Sequence, residues 1–348
     1  MIILAEIFKE LKTKNFTFKN RVILPPVATK SADDNGYVTD KILDYYDKRS
    51  KGGYLSLIIT EHVYVTENGK GTPHQISIAD DDKIEGLKKL TDTIHKNGVK
   101  VFAQLNHVGA KRDSETNDAP SAFNIENIWK SNREITKAEI LHIEDEFVRA
   151  AVRSESAGYD GIELHSCHGF LLNEFYSPVT NRRTDEYGGD VLNRIRIHLE
   201  IIEKIRAAVG EDFPIFLRLG AVDYREGGNM LPDPEKAAEY FANGSTLQDA
   251  IIAAKAFEKA GVEVLDISGG LNGYTVNGKK DAGYYSELTE KIRNEVNIPV
   301  ILTGGVTNLN QAEKLLKEGK ADIIGVGRAI LTDENWIERE FRNFEKES

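Results

Sequence analysis

Cysteine is almost absent: the 348-residue chain has one, Cys167. A lone thiol excludes a disulfide within the chain and an iron–sulfur cluster ligated by its own cysteines. Long apolar runs are missing too. The stretch Met1-Ile2-Ile3-Leu4-Ala5 meets Glu6 at once, and no later run approaches membrane-spanning length. Positive charge is scarce, with a formal net charge of −11 and no long Lys/Arg run. That balance disfavours a general nucleic-acid or anionic-membrane binder, although local basic pockets remain allowed. The expectation is a cytoplasmic protein acting on a small molecule, with room for a homo-oligomer.

What is present suits a large folded core. The hydrophobic fraction is 40% and the charged fraction 29%, ordinary for a globular chain and unlike a disordered one. The length exceeds the usual domain, but α/β barrels routinely run longer, so one domain over residues 1–348 is expected.

Short β-rich runs alternate with amphipathic helical runs along the whole chain. Strands are expected at 21–25, 54–60, 99–105, 161–165, 213–219, 262–268, 298–303 and 321–326. Helices are expected at 39–51, 83–97, 136–158, 190–209, 246–260, 284–296, 308–318 and 333–344. The second helix shows the logic, with Ile84, Leu87, Leu90 and Ile94 on one face and Gly98 as its stop. Thr39 or Asp40 is expected to cap the first. The segment 106–133 reads as a long polar loop, and such loops in compact domains are usually functional. Eight strands alternating with eight helices predict a (β/α)₈ barrel, in which the C-terminal strand ends form one catalytic face.

Read as one site, those ends carry chemistry. The fourth strand runs into Gly161-Ile162-Glu163-Leu164-His165-Ser166-Cys167-His168-Gly169-Phe170, where two imidazoles three positions apart can converge. They could hold a metal with Glu163 or Cys167, anchor a substrate oxygen, or bond loop carbonyls as a structural pair. Arg218 ends an apolar strand and needs a partner, either a core carboxylate such as Asp266 or an anionic ligand. Gln104 ends the third strand as a core amide or a bidentate hydrogen-bonding group. Gly304 and Gly305, then Gly325, Gly327 and Arg328, end the last two strands and suit a phosphate.

Taken together, these residues resemble the old yellow enzyme family of FMN-dependent oxidoreductases. The likeness runs through Asn20-Arg21-Val22-Ile23-Leu24-Pro25-Pro26-Val27-Ala28-Thr29, Gln104-Leu105-Asn106-His107-Val108-Gly109, the histidine stretch, Ser177-Pro178 and the Gly327-Arg328 pair. Its most specific part is Asn181-Arg182-Arg183-Thr184-Asp185-Glu186-Tyr187-Gly188-Gly189. The resemblance implies an FMN phosphate held by Gly304, Gly305, Gly325, Gly327 and Arg328. It implies Arg218 at the N1–C2 edge of the flavin, Gln104 at the pyrimidine, and Pro25, Pro26, Val27, Ala28 and His62 along the ring. His165 and His168 would donate to the carbonyl oxygen of an α,β-unsaturated substrate, making its β-carbon electrophilic toward hydride. Lys30, Asn106 and Phe170 would line the substrate pocket. NADH or NADPH would reload the flavin directly, since the cysteine count rules out the cluster that larger relatives carry.

Three positions depart from the family pattern. Phe170 stands where a tyrosine usually protonates the α-carbon, so the proton must come from solvent or from a tyrosine such as Tyr37, Tyr224 or Tyr274. Ala28 replaces a cysteine or threonine that tunes the flavin, and Lys30 replaces an apolar or aromatic residue. The segment 225–245 is an insertion suited to a lid or to an exposed elaboration. The resulting expectation is an FMN-dependent ene-reductase. A non-catalytic flavin-binding or redox-sensing protein is the alternative, and a metal-dependent lyase or hydrolase a weaker third.

Overall fold

The computed structural model describes residues 5–111, 117–126, 129–224, 226–231, 233–275 and 281–347. Eight parallel strands close into a barrel: β1 (Val22–Leu24), β2 (Leu57–Tyr64), β3 (Lys100–Asn106), β4 (Gly161–Ser166), β5 (Ile215–Gly220), β6 (Val264–Ser268), β7 (Val300–Thr303) and β8 (Ile323–Gly325). Closure is sequential, and β8 returns to β1 with Gly325 opposite Ile23. Around it lie α1 (Asp40–Ser50), α2 (Ile84–His95), α3 (Lys137–Ser156), α4 (Arg196–Val209), α5 (Leu247–Lys259), α6 (Ser286–Arg293), α7 (Leu309–Lys317) and α8 (Trp336–Glu347). This is the expected (β/α)₈ barrel.

Burial on both faces explains why the strands read as near-continuous apolar runs rather than alternating ones. Every residue of β4 and β5 is buried. The helices pack through one stripe, which in α2 is Leu87, Leu90, Thr91 and Ile94. Capping follows local chemistry: Thr136 and Glu139 form a reciprocal capping box on α3. Thr39 departs from expectation. It precedes α1, but its hydroxyl donates to the Ser31 carbonyl at 2.6 Å and makes no cap bond.

Two further expectations change. The helix expected over 190–209 is broken at Ile195 into Val191–Arg194 and α4. Buried Arg194 donates to Tyr176 O and Gly189 O, both at 2.7 Å, which ties the first turn to the preceding loop. The loop expected over 106–133 contains an antiparallel ribbon, Phe123–Ile125 with Trp129–Ser131. Phe123, Ile125 and Trp129 share an apolar cluster with Leu231, Ala237 and Phe241 from the insertion, so the ribbon forms where that face is covered. Arg225 and Pro232 of the insertion lie outside the described residues. The remainder includes a helix, Pro234–Phe241, capped by Asp233 and tied by Lys236 to Glu126 at 2.7 Å. Leu231, Ala237 and Phe241 bury one side of this segment, while Asp233, Pro234, Glu235 and Lys236 are exposed.

The barrel interior is graded. A ribbon of Leu11–Lys12 and Thr17–Phe18 closes its N-terminal end, where Phe16 packs edge-on against Phe102 and Phe216 at 5.1 and 5.8 Å. Each such ring contributes roughly 1.5–3 kcal/mol by burial. Toward the C-terminal end the interior turns polar, with Gln104, Glu163, His165, Arg218 and Asp266 all buried. Among the described residues, no helix is long and apolar enough to cross a membrane.

Candidate active site

β4 delivers His165, and the turn after it returns His168 to face it. His168 adopts φ 60° and Gly169 φ 72°, a left-handed pair that folds the chain back on itself. His165 Nε2 and His168 Nδ1 then lie 3.3 Å apart, with the rings edge-to-face at 5.3 Å. The other nitrogen of His168 meets the Ser268 hydroxyl, at the end of β6, at 2.7 Å. Burial pushes the pKa of both imidazoles well below the usual value. His168, His62 and Arg218 lower His165 further, and Arg218, Lys111 and His62 lower His168. The pair is therefore neutral, and it presents N–H donors rather than cations.

Below the histidines is a charged floor. Arg218 lies opposite Asp266 in register, and its Nε meets Asp266 Oδ2 at 3.1 Å. Of the two partners allowed by the sequence, the core carboxylate is the one in place. Gln104 pairs with Glu163 across β3 and β4 and donates to its Oε1 at 2.7 Å. Burial, and then the Asp266 charge, push Glu163 up to about 8, so it holds its proton while Asp266 faces Arg218.

His62 stands at the end of β2, its ring 5.8 Å from that of His165. The Gly71 N–H donates to Gln75 Oε1 at 2.8 Å, which turns Gln75 Nε2 toward His62 Nδ1 at 2.7 Å. Nδ1 is thus the acceptor, and the proton sits on Nε2. Burial, then Lys30 and Arg218, lower the His62 pKa to about 4. Phe170 completes an aromatic wall, 4.7 Å from His165 and 5.5 Å from His62. Of the tyrosines considered as proton sources, Tyr274 comes within 5.4 Å of the His168 ring. Tyr37 instead donates to Asp82, and Tyr224 is exposed.

At the end of β1, Pro25 is buried, Pro26 and Val27 half-buried, and Ala28 and Lys30 exposed. Lys30 has φ 50°, and the buried Glu61 carboxylate holds this turn by accepting the Thr29 N–H and hydroxyl at 3.1 and 2.5 Å. Asn106 is fully buried at the end of β3, and neither atom of its amide finds a partner among the described residues. At the last corner, Gly327 precedes a short helix, Arg328–Thr332, and exposed Arg328 donates to the Tyr284 hydroxyl at 3.3 Å. The other glycines there have packing reasons of their own. A Cβ on Gly304 would lie 2.8 Å from the Tyr284 ring, and one on Gly325 would lie 2.1 Å from Thr303 Oγ1.

His165, Cys167 and His168 place their ligand atoms within 4.8 Å of one another. A cation there would need the thiolate, yet burial pushes the Cys167 thiol well above its usual range, and Glu163 faces Gln104. A surface cavity of about 390 Å³ lies at the opposite end of the barrel beside Thr13, Arg206 and Glu263, away from these groups.

Residues 6–347 match the NADH:flavin oxidoreductase / NADH oxidase family. The chain belongs to that family. This family member is 38% identical over 340 residues to an NADH oxidase of Thermoanaerobacter brockii, spanning 95% of this chain but 50% of that protein. It is 36% identical over 335 residues to an NADPH dehydrogenase of Clostridium acetobutylicum, covering 95% and 93% of the two chains. Among solved structures, it resembles a 2-naphthoyl-CoA reductase in complex with 2-naphthoyl-CoA, with TM-score 0.87 and 25% identity over 97% of this chain and 52% of that one. It also resembles the old yellow enzyme homologue of Zymomonas mobilis, with TM-score 0.77 and 27% identity over 97% and 93%. The chain thus spans about half the length of the first relative and of the first structure. The family description names a flavin and NADH, the two relatives are named for NADH and NADPH, and FMN is the cofactor that the old yellow enzyme family implies.

The residues present fit that cofactor. A buried cation, an unpartnered buried amide and neutral imidazole donors share the barrel mouth, and an exposed arginine stands at the last corner. Lys111, Ser268, Tyr284, Gln75 and Glu61 are site residues that the sequence did not single out. Ser268 had a usable signal, as the polar end of an apolar strand. The others act across contacts distant in sequence.

Proposed function

We propose that this chain reduces activated C=C bonds of α,β-unsaturated carbonyl compounds with NADH or NADPH. The observation that carries this is the neutral histidine pair, whose facing nitrogens are 3.3 Å apart. An oxygen seated there accepts from both when His165 is protonated on Nε2 and His168 on Nδ1. A Ser268 hydroxyl donating to His168 Nε2 supports the second tautomer. Drawing electron density onto the carbonyl oxygen makes the β-carbon electrophilic.

FMN, when bound, would supply the hydride. Gly304, Gly305, Gly325, Gly327 and Arg328 would hold its phosphate. Arg218, oriented by Asp266, would stabilise charge on the reduced flavin, and Gln104 would bond the pyrimidine. Pro25, Pro26, Val27, Ala28 and His62 would line the ring. Asn106, Phe170 and Lys30 bound the substrate side, and the helix Pro234–Phe241 with its ribbon partner covers it. Phe170 and Tyr274, packed against His165 and His168 respectively, and the likeness to a reductase in complex with a naphthoyl thioester, support a flat conjugated acceptor.

Anaerobic mixing tests this. NADH or NADPH should bleach the bound flavin, and an enone such as 2-cyclohexenone should restore its colour over repeated cycles. Reduction without reoxidation by any enone would instead support redox sensing, the reading favoured by the missing hydroxyl at Phe170.

A further inference from the structure

We propose that Lys111 is the acid that protonates the α-carbon, the role for which Phe170 has no hydrogen to give. The proposal rests on the ene-reductase function above.

Lys111 closes the short helical turn Gly109–Lys111 after β3. Its ammonium donates to the His168 carbonyl and lies 5.5 Å from the Phe170 ring centroid, the ring that packs at 4.7 Å on His165. The indole of Trp129 is 5.1 Å away on another side. Glu174 pins this frame, accepting the Ala110 N–H at 2.9 Å and the Trp129 Nε1–H at 3.0 Å. A flexible cation is thereby held against the residue that departs from the family pattern, beside the histidines that orient the carbonyl.

Its surroundings also loosen its proton. Burial pulls Lys111 down to about 8 from 10.5, against the opposing pull of Glu174 and Cys167. The other titratable groups around it are His165 and His168, both neutral, and Asp118, which acts on Glu174. An ammonium of that kind is mostly protonated at neutral pH and a far better acid than an exposed lysine.

The step balances. Two electrons arrive from NADH or NADPH as hydride at the β-carbon, which leaves an electron pair on the α-carbon conjugated to the anchored oxygen. A C–H bond forms there as one N–H bond of Lys111 breaks, and solvent reprotonates the amine. The rival is Tyr274, near His168 but 57% exposed.

Two measurements decide. In the holoenzyme, competitive acetylation with acetic anhydride, read by peptide mass spectrometry, should show Lys111 titrating near 8, well below the ordinary lysine value of 10.5. In anaerobic stopped flow, Lys111→Met and Lys111→Arg should slow enone-driven flavin reoxidation roughly 10²–10³-fold. Reduction by nicotinamide and reoxidation by a quinone, which needs no proton on carbon, should be unchanged. Phe170→Tyr in the Lys111→Met background should recover at least about tenfold. Lys111→Arg keeps the charge without a labile proton and preserves the test if the methionine variant fails to fold. Near-wild-type reoxidation in both variants, an ordinary Lys111 titration, or loss confined to Tyr274→Phe would overturn the assignment. A wild-type flavin reoxidised by quinones but by no enone would overturn the ene-reductase function itself, and this assignment with it.

Discussion

The Ser268 hydroxyl and His168 Nε2 are 2.7 Å apart, across the barrel mouth from β6 to the turn after β4. A hydroxyl donating there leaves the His168 proton on Nδ1, aimed at His165. Ser268→Ala should release that preference and weaken binding of a phenol-type ligand by about fivefold to tenfold, roughly 1–1.4 kcal/mol. Titration of the flavin spectrum measures it, with FMN remaining bound. Unchanged affinity would mean that Ser268 does not set the tautomer.

Gln75 governs His62 in the same way. Its amide nitrogen donates to Nδ1 at 2.7 Å, because Gly71 occupies its oxygen. Gln75→Glu places a negative charge against that nitrogen and favours the imidazolium. The His62 pKa should rise from about 4 toward the ordinary 6.5, as read from the histidine ring protons by NMR across a pH series. A His62 signal that stays put would show that the contact does not form in solution.

Glu61 makes stability depend on pH. Burial raises its pKa to about 7 from 4.5, against the Thr29 and Lys30 donors. The folded state binds this proton more tightly than the unfolded chain. The contribution is therefore complete below 4.5 and is lost as pH rises through 7, on the order of 3 kcal/mol in all. Urea midpoints of the apoprotein should fall across that window, and Glu61→Gln should make the fall shallower by that amount, with Glu163 among the groups that carry the rest.

Arg218 and Asp266 are a buried pair at 3.1 Å, and removing one member strands the other. Arg218→Met should destabilise the apoprotein by about 3–5 kcal/mol, while Arg218→Met with Asp266→Asn should cost clearly less. Additive losses in urea unfolding would show that the two side chains are not coupled.

The barrel was legible in the sequence because its periodicities are local. Leu87, Leu90 and Ile94 mark a helix face without reference to anything else in the chain. His165 and His168 were legible as a converging pair because a turn lies between them. The partner of Arg218 was not, since the choice between Asp266 and a ligand depends on the register of β5 against β6. Lys111 was invisible for a related reason: its neighbours His168 and Phe170 lie 57 or more positions away. The ribbon at Phe123–Ile125 was hidden because its apolar residues pack on Val179, Leu271 and the helix Pro234–Phe241, all distant in sequence. The loop glycines read as anion-binding, whereas Thr303 and Tyr284 supply further reasons for Gly325 and Gly304.

The most direct test of the account is ligand binding to the holoenzyme carrying both His165→Ala and His168→Ala. Under the proposed function, the histidine pair anchors the ligand oxygen while other residues hold the cofactor. The double variant should therefore keep FMN and its absorbance while binding of a para-substituted phenol falls by roughly two orders of magnitude. Phenol affinity equal to wild type, or loss of FMN and fold together, would contradict it.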